Sequence, residues 1–172
     1  GADAKFSLRS VVSKSGYGFS TFYRFWKGFD EYLLDTYDLA VESFLDAEQK
    51  MMDEFCGSTP CEFFEMLAEH NLAGNRLVPK GLLRSILITF LKGRVSRIVR
   101  HSPRQAEAVA RSFDQHFAGQ NLSVDVERLK AVFQVHGTFL YWRLADEGLE
   151  QDVRILRELM VDSALMTVIS GK

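Results

Sequence analysis

Residues Ser7 to Trp26 read SLRSVVSKSGYGFSTFYRFW. Ser7 suits a helix N-cap, because its hydroxyl oxygen can accept from the free backbone N–H groups of a first turn. Leu8, Val11 and Val12 supply the inner face of a short helix that closes at Ser15. Gly16 and Gly18 punctuate a tight turn, and Gly16 permits the left-handed backbone that such a turn needs. A second short helix follows over Phe19 to Trp26. Phe22 and Trp26 are four residues apart, share one side and pack inward. Thr21, Tyr23 and Arg24 are left as outward polar groups. This is the anatomy of a helix-turn-helix unit.

Working outward, Lys27-Gly28 breaks the second helix, and a long helix runs from about Phe29 to Phe55. Its inward stripe is Leu33, Leu34, Tyr37, Ala40, Val41, Phe44, Glu48, Met51, Met52 and Phe55, at spacings of three and four. Thr59-Pro60 with Glu62 forms a capping box with a proline start, and opens a helix that ends near Gly74. Pro79 opens the next, to about Val99. Ser102-Pro103 repeats the cap-then-proline device for a helix that ends at Gly119. Ser123 opens a helix to Asp146, and after Gly148 a last helix fills Leu149 to Ser170. The expected fold is all-α with no sheet. A helix-turn-helix head (residues 1–40) is joined by the long helix to a helical body (residues 41–172).

Composition agrees. Gly and Pro together make 15 of 172 residues, and only three are Pro, a poverty of breakers that favours long helices. Net charge is −2 but is unevenly placed. Residues 1–28 carry Lys5, Arg9, Lys14, Arg24 and Lys27 against Asp3 alone, a net of +4, which leaves −6 for the rest. A basic head on an acidic body is the electrostatic footprint of a polyanion partner. The most apolar run, Leu82 to Leu91, is interrupted by Arg84, Ser85 and Thr89 and is too short to span a bilayer. The expected location is cytoplasmic, with no membrane partner. Cys56 and Cys61 make no disulfide framework.

The last two helices are apolar on two faces. Leu149–Ser170 carries one stripe of Val153, Leu156, Met160, Ala164 and Val168, and a second of Ile155, Leu159, Met166 and Ile169. Ser123–Asp146 carries Leu129, Val132, Phe133, His136 and Leu140 on one side, with Val135, Phe139 and Trp142 on another. A helix buried on two faces needs two partners. Either both faces are used inside one chain, or the second packs on its copy in a symmetric four-helix interface.

The stretch from Ser7 to Leu33 resembles the signature of TetR-type (tetracycline-repressor-like) transcription regulators. The matches are Ser7, Val11, Gly16, Thr21, Tyr23, Trp26, Asp30, Glu31 and Leu33. The resemblance implies a DNA-binding transcriptional repressor, a homodimer through the last two helices that a hydrophobic small molecule releases from operator DNA. Carried over by position, Ser7, Thr21 and Tyr23 would contact phosphates. Tyr17, Phe19 and Ser20 would lie at the major-groove face, and Arg24 and Lys27 would add charge. The family's first helix would precede Ser7 and is absent from this sequence. Three positions depart from the pattern. Phe29 stands where Lys is usual, Phe25 where His is common, and Gly18 where the turn usually has Ser. The first two remove possible phosphate contacts. They keep open a second reading, a helical small-molecule-binding or interaction dimer with a degenerate DNA-binding head.

The resemblance also implies an effector pocket among the middle helices. The candidate lining residues are Phe64, Phe90, Phe113, Phe133 and His136, although aromatic side chains in such numbers ordinarily fill a core. His70, His101, His116 and His136 show no metal-ligand spacing, so no metal or cofactor is expected. Cys56-x4-Cys61 reads either as a thiol sensor or as two half-buried small residues. No nucleophile–base pair, phosphate-cradling loop or paired carboxylates suggest an enzyme.

Overall fold

The computed structural model describes residues 7–76, 80–89, 101–144 and 150–170. Its elements in chain order are α1 (Leu8–Ser15), α2 (Phe19–Phe25), α3 (Phe29–Asp53), α4 (Pro60–Arg76), α5 (Lys80–Thr89) and α6 (His101–His116). A 3-10 turn (Ala118–Gln120), β1 (Leu122–Val124), α7 (Val126–Leu144), α8 (Glu150–Leu165) and β2 (Val168–Ser170) follow. The fold is all-α, with one two-stranded ribbon among the described residues.

Side-chain caps set three of the helix starts. Ser7 accepts from the Ser10 backbone N–H at 3.3 Å, and the Ser10 hydroxyl accepts from the Ser7 N–H at 3.0 Å. Thr59 accepts from the Glu62 N–H at 3.2 Å, while Glu62 Oε2 accepts from the N–H groups of Ser58 and Thr59 at 2.9 and 3.0 Å. These contacts hold the Glu62 carboxyl below the usual carboxylate range, the Ser58 N–H contributing most. Asp125 begins α7 by accepting from the Arg128 N–H at 3.1 Å.

The body closes on rings. Phe64 and Phe113 stack, with centroids 5.5 Å apart and planes at 20°. Phe63 meets Phe64, Phe113 and Phe117 edge-on. Val109, Leu67, Leu129, Val161 and Ala164 complete this core, so α4, α6, α7 and α8 share one apolar interior. A smaller cluster of Leu34, Tyr37 and Ile86 joins α5 to the head-side half of α3. At 25 residues α3 is about 37 Å long and reaches from the head into the body. Gly74 lets α4 approach it: a Cβ there would meet the Phe44 ring at 2.9 Å.

Four expectations are corrected. First, the ribbon overturns the expectation of no sheet. Ser123 does not cap a helix but pairs with Ile169 in antiparallel register, flanked by Leu122–Ser170 and Val124–Val168. Asp114 Oδ1 accepts from the Val124 N–H at 3.1 Å, and Thr167 O accepts from the Asp125 N–H at 2.9 Å. Val168 and Ile169 are β-branched and fit a strand as readily as a helix stripe. The chain leaves α8 at Leu165 and turns through Met166 and Thr167. Second, Ala40 is exposed, and Leu45 takes its place on the inner face of α3. Third, His101 and Ser102 are already helical, so Ser102-Pro103 lies in the first turn of the described span of α6 instead of capping it. Buried His101 meets Asp38 and the Tyr37 ring there and holds that turn in place. The helix stops at His116, short of Gly119. Fourth, α4 runs past Gly74 to Arg76, because the close fit against Phe44 keeps that glycine helical. Pro79 and residues 90–99 of the next expected helix lie outside the described residues.

Phe113→Ala should lower the stability of the body by about 3–5 kcal/mol, the usual effect of removing a large buried ring. The urea midpoint would fall accordingly while the helical circular dichroism of the native baseline is retained.

Candidate functional site

The head is two short helices around a left-handed turn. Gly16 has φ 73°, a conformation strained for any residue with a Cβ. Val12 and Phe22 are the buried residues of α1 and α2. Phe22 sits in a nest of rings with centroids 5.1 Å from Trp26 and 5.7 Å from Tyr32, while Trp26 meets Tyr32 edge-on at 5.0 Å. Phe29 stacks on Tyr32 at 6.0 Å. Trp26 Nε1 donates to Asp35 Oδ2 at 3.0 Å, and the Lys27 N–H donates to Glu31 Oε2 at 2.6 Å. These contacts dock α2 on the first turns of α3. Phe29 is part of this nest.

Tyr17, Phe19, Ser20, Tyr23, Arg24 and Lys27 are exposed, and Thr21 is half-buried. They share the turn and α2 with Phe25, which at 71% is the most exposed ring of the head. Ser7 is half-buried, and its hydroxyl serves the capping box. Arg9 and Lys14 of α1 are also exposed.

Among the described residues, Phe64 and Phe113, expected around an effector pocket, fill the core. Phe113 is fully buried and Phe64 is 2% exposed. A cavity large enough for a ligand would leave their atoms open to a water-sized sphere. Their surfaces are covered by Phe63, Phe117 and each other. Phe133 is half-buried against the same core. His136 Nε2 lies 3.0 Å from Ser163 Oγ and links α7 to α8; burial holds its imidazole below the usual range and so favours the neutral ring. Phe90 lies outside the described residues. An open groove of about 540 Å³ lies instead where α3 ends against α4, and Met51, Phe55, Cys56 and Met66 contribute to its lining. Cys56 and Cys61 are free, exposed thiols and not half-buried.

A polar seam between α3 and α6 is the feature that periodicity missed. His101 Nε2 lies 3.0 Å from Asp38 Oδ1, and Arg104 pairs with Glu42. Further along, Gln105 Nε2 donates to both carboxylate oxygens of Glu48 at 2.9 and 3.0 Å, and Gln49 donates to Ser112 at 3.2 Å. Partner numbers rise together, so the two helices run parallel. Asn71 of α4 also donates to Glu48 Oε1, at 3.1 Å. Glu48 is 1% exposed, and burial pushes its carboxyl up to about 7 against the opposing hydrogen bonds of Gln105 and Asn71. The signal was present in the sequence: Glu48 lies four residues after Phe44 and four before Met52, on the inward stripe.

Comparison with family models, with curated proteins and with solved structures gave no match. No helix among the described residues is long and apolar enough to cross a membrane. No group of three or more His, Cys, Asp or Glu among them could hold a metal ion.

The raised Glu48 pKa makes stability depend on pH with a definite sign. The folded value, about 7, lies above the ordinary glutamate value of 4.5. Stability is therefore greatest below pH 4.5 as far as this group is concerned, falls as pH rises to about 7, and levels off above. The span is about 3 kcal/mol. Glu48→Gln should remove this dependence, seen as a smaller shift of the urea midpoint between pH 5 and pH 8.

Proposed function

We propose that this chain is a ligand-responsive, DNA-binding transcriptional regulator that works as a homodimer. The observation that carries the reading is the head. Two helices flank a glycine turn in the left-handed region, and Tyr17, Phe19, Ser20, Tyr23 and Arg24 stand out from it. The charge of residues 1–28 is +4 on an otherwise acidic chain. In this reading α2 enters the major groove, Tyr23 and Arg24 meet phosphates, and Phe19 and Ser20 meet base edges. Ser7, occupied as a cap, contributes its helix start more than its hydroxyl. Lys27 and the half-buried Thr21 add contacts at the margin.

The dimer is supported by what one chain leaves uncovered. Leu156, Val161 and Ala164 are buried in the body, whereas Ile155, Leu159, Met166 and Ile169 remain exposed, with Val135 of α7. Within α8 this follows the two stripes of the sequence, whereas Met166 and Ile169 lie beyond the helix, in the turn and in β2. A second copy presenting the same face would cover it by two-fold symmetry. Side chains of residues 137–153, which include Phe139, Trp142 and Val153, lie outside the described ones.

For the effector, the groove where α3 meets α4 offers apolar lining from Met51, Phe55 and Met66 beside Lys50 and Glu54. A hydrophobic molecule seated there would touch the helix that leads to the head. A preference for one placement of that helix would shift the population bound to DNA. A degenerate head is the second reading, favoured by exposed Phe25 and by Phe29 being turned into the nest.

Binding to a roughly palindromic duplex, with half-sites about one helical turn apart, should fall with rising salt. The slope should be shallow because each head carries few cations. Tyr23→Phe should weaken all sequences alike by a few-fold, and Phe19→Ala should alter sequence preference, both read by fluorescence anisotropy. Absence of salt-sensitive duplex binding, with and without candidate effectors, would leave the degenerate-head reading standing alone.

Leu159→Asp should convert the dimer to monomer in sedimentation velocity at micromolar concentration. Leu159 is half-exposed in one chain, so the substitution spares the fold while placing a charge in the contact. A wild-type monomer would contradict the dimer outright.

A further inference from the structure

Glu48 lies on the one helix that passes from the head into the body, at the point where α4 and α6 both meet it. Its environment is unusual for a carboxylate. The groups that reach it are two neutral amides: Asn71 from α4, and Gln105 from α6. Among the described residues, no charged side chain pairs with it. Toward the head, the titratable and charged groups on the same seam are Asp38 and Glu42 of α3 with His101 and Arg104 of α6, which satisfy one another. On α4 the nearest titratable neighbour along the helix is His70, whose ring lies against Phe44 at 4.5 Å. The amide of Gln105 faces both carboxylate oxygens through a single nitrogen.

We propose that this junction is a proton-operated clamp on α3, in which the Glu48 carboxyl takes up a proton and closes a carboxyl–carboxamide pair with Gln105 that binds α3 more firmly to α6. The step is proton uptake from solvent onto one carboxylate oxygen, with no other bond made or broken. Once that oxygen carries hydrogen it donates, so the Gln105 amide turns to offer its carbonyl. The amide N–H then meets the remaining carboxyl oxygen, and two neutral hydrogen bonds replace one shared donor. Asn71 keeps its bond to the same carbonyl oxygen. In the deprotonated state the seam holds a bare anion between uncharged donors, and water competes for it. The folded carboxyl titrates near 7, so the clamp changes state across neutral pH, firm on the acid side and loose on the alkaline side. Control of the head by this clamp rests on the proposed DNA-binding function; the clamp itself does not.

Hydrogen exchange on the full chain at pH 6 and pH 8, corrected for the intrinsic pH dependence of exchange, tests the clamp. A 13C carboxyl titration of glutamate-labelled protein accompanies it. Protection of α3 amides around Glu48 should fall roughly tenfold from pH 6 to pH 8, as linkage requires for a group of pKa about 7 closed and 4.5 open. Amides of the Phe63–Phe113 core should change much less. Glu48→Gln should abolish the difference. Gln105→Met should lower protection at pH 6 more than at pH 8 and so shrink the difference without abolishing it, because the glutamate left behind is still buried and titrates above the ordinary range. A Glu48 carboxyl that titrates below pH 5, or a loss of protection spread evenly over the body, overturns the clamp. Duplex affinity measured at both pH values then separates the two ideas. A change between pH 6 and pH 8 in wild type that is absent in Glu48→Gln supports coupling to the head. Affinity independent of pH, with the clamp titrating as described, overturns the coupling. No duplex binding at either pH overturns the regulator reading and leaves the exchange result to decide the clamp.

Discussion

Among the described residues, Glu48 is the one carboxylate taken out of water, and the arrangement of three helices follows from what that requires. Moving a carboxylate into a low-dielectric interior costs several kcal/mol unless donors replace its hydration. Here the donors come from α4 and α6. Those two helices must therefore approach α3 at one level, with Asn71 and Gln105 turned inward. Gly74 admits α4 alongside Phe44 on one side. On the other, the parallel course of α6 sets His101 against Asp38 and Arg104 against Glu42. The ring core of Phe63, Phe64, Phe113 and Phe117 then forms between the same α4 and α6. Apolar burial supplies the stability of that core without direction, whereas the amide-to-carboxylate contacts fix which turn of each helix faces which.

The head shows how far a sequence reading carries when the determinants are local. The Ser7 cap, the Gly16 turn, the inward Phe22 and the Thr59-Pro60-Glu62 box depend on residues within four positions of one another, and each forms as its chemistry implies. The failures have the opposite character. Val168 and Ile169 suit a helix stripe or a strand equally, and what decides is a partner strand at Leu122–Val124, far away in sequence. Ala40 fits an inward position by spacing but is left outside by the rotation of α3 that buries Leu45. Glu48 reads as an interruption of an apolar stripe until Asn71 and Gln105 are seen beside it. An aromatic ring that fills a core and one that lines a cavity look alike in sequence, and for Phe64 and Phe113 only the neighbouring rings decide.

Phe29 anchors the joint between the head and α3. A lysine at this place would have offered charge at the edge of the head. The phenylalanine stacks on Tyr32, which in turn supports Trp26 and Phe22. The head thereby gains apolar anchorage to α3 where it forgoes a cation. The Trp26–Asp35 hydrogen bond and the Glu31 acceptor for the Lys27 N–H add directional contacts to the same joint. The first turns of α3 and α2 are consequently joined through packed rings.

The ribbon between Leu122–Val124 and Val168–Ser170 has a consequence for association. Its pairing closes a loop of chain that contains both α7 and α8. The entropy of bringing those ends together is lost once, when the chain folds. Val135, Ile155 and Leu159 are thus carried by helices already tied at one end, and Met166 and Ile169 by the turn and strand that tie them. A body meeting its copy through them would give up translational and rotational freedom but little internal freedom, which is the condition under which a small apolar surface binds most tightly for its area.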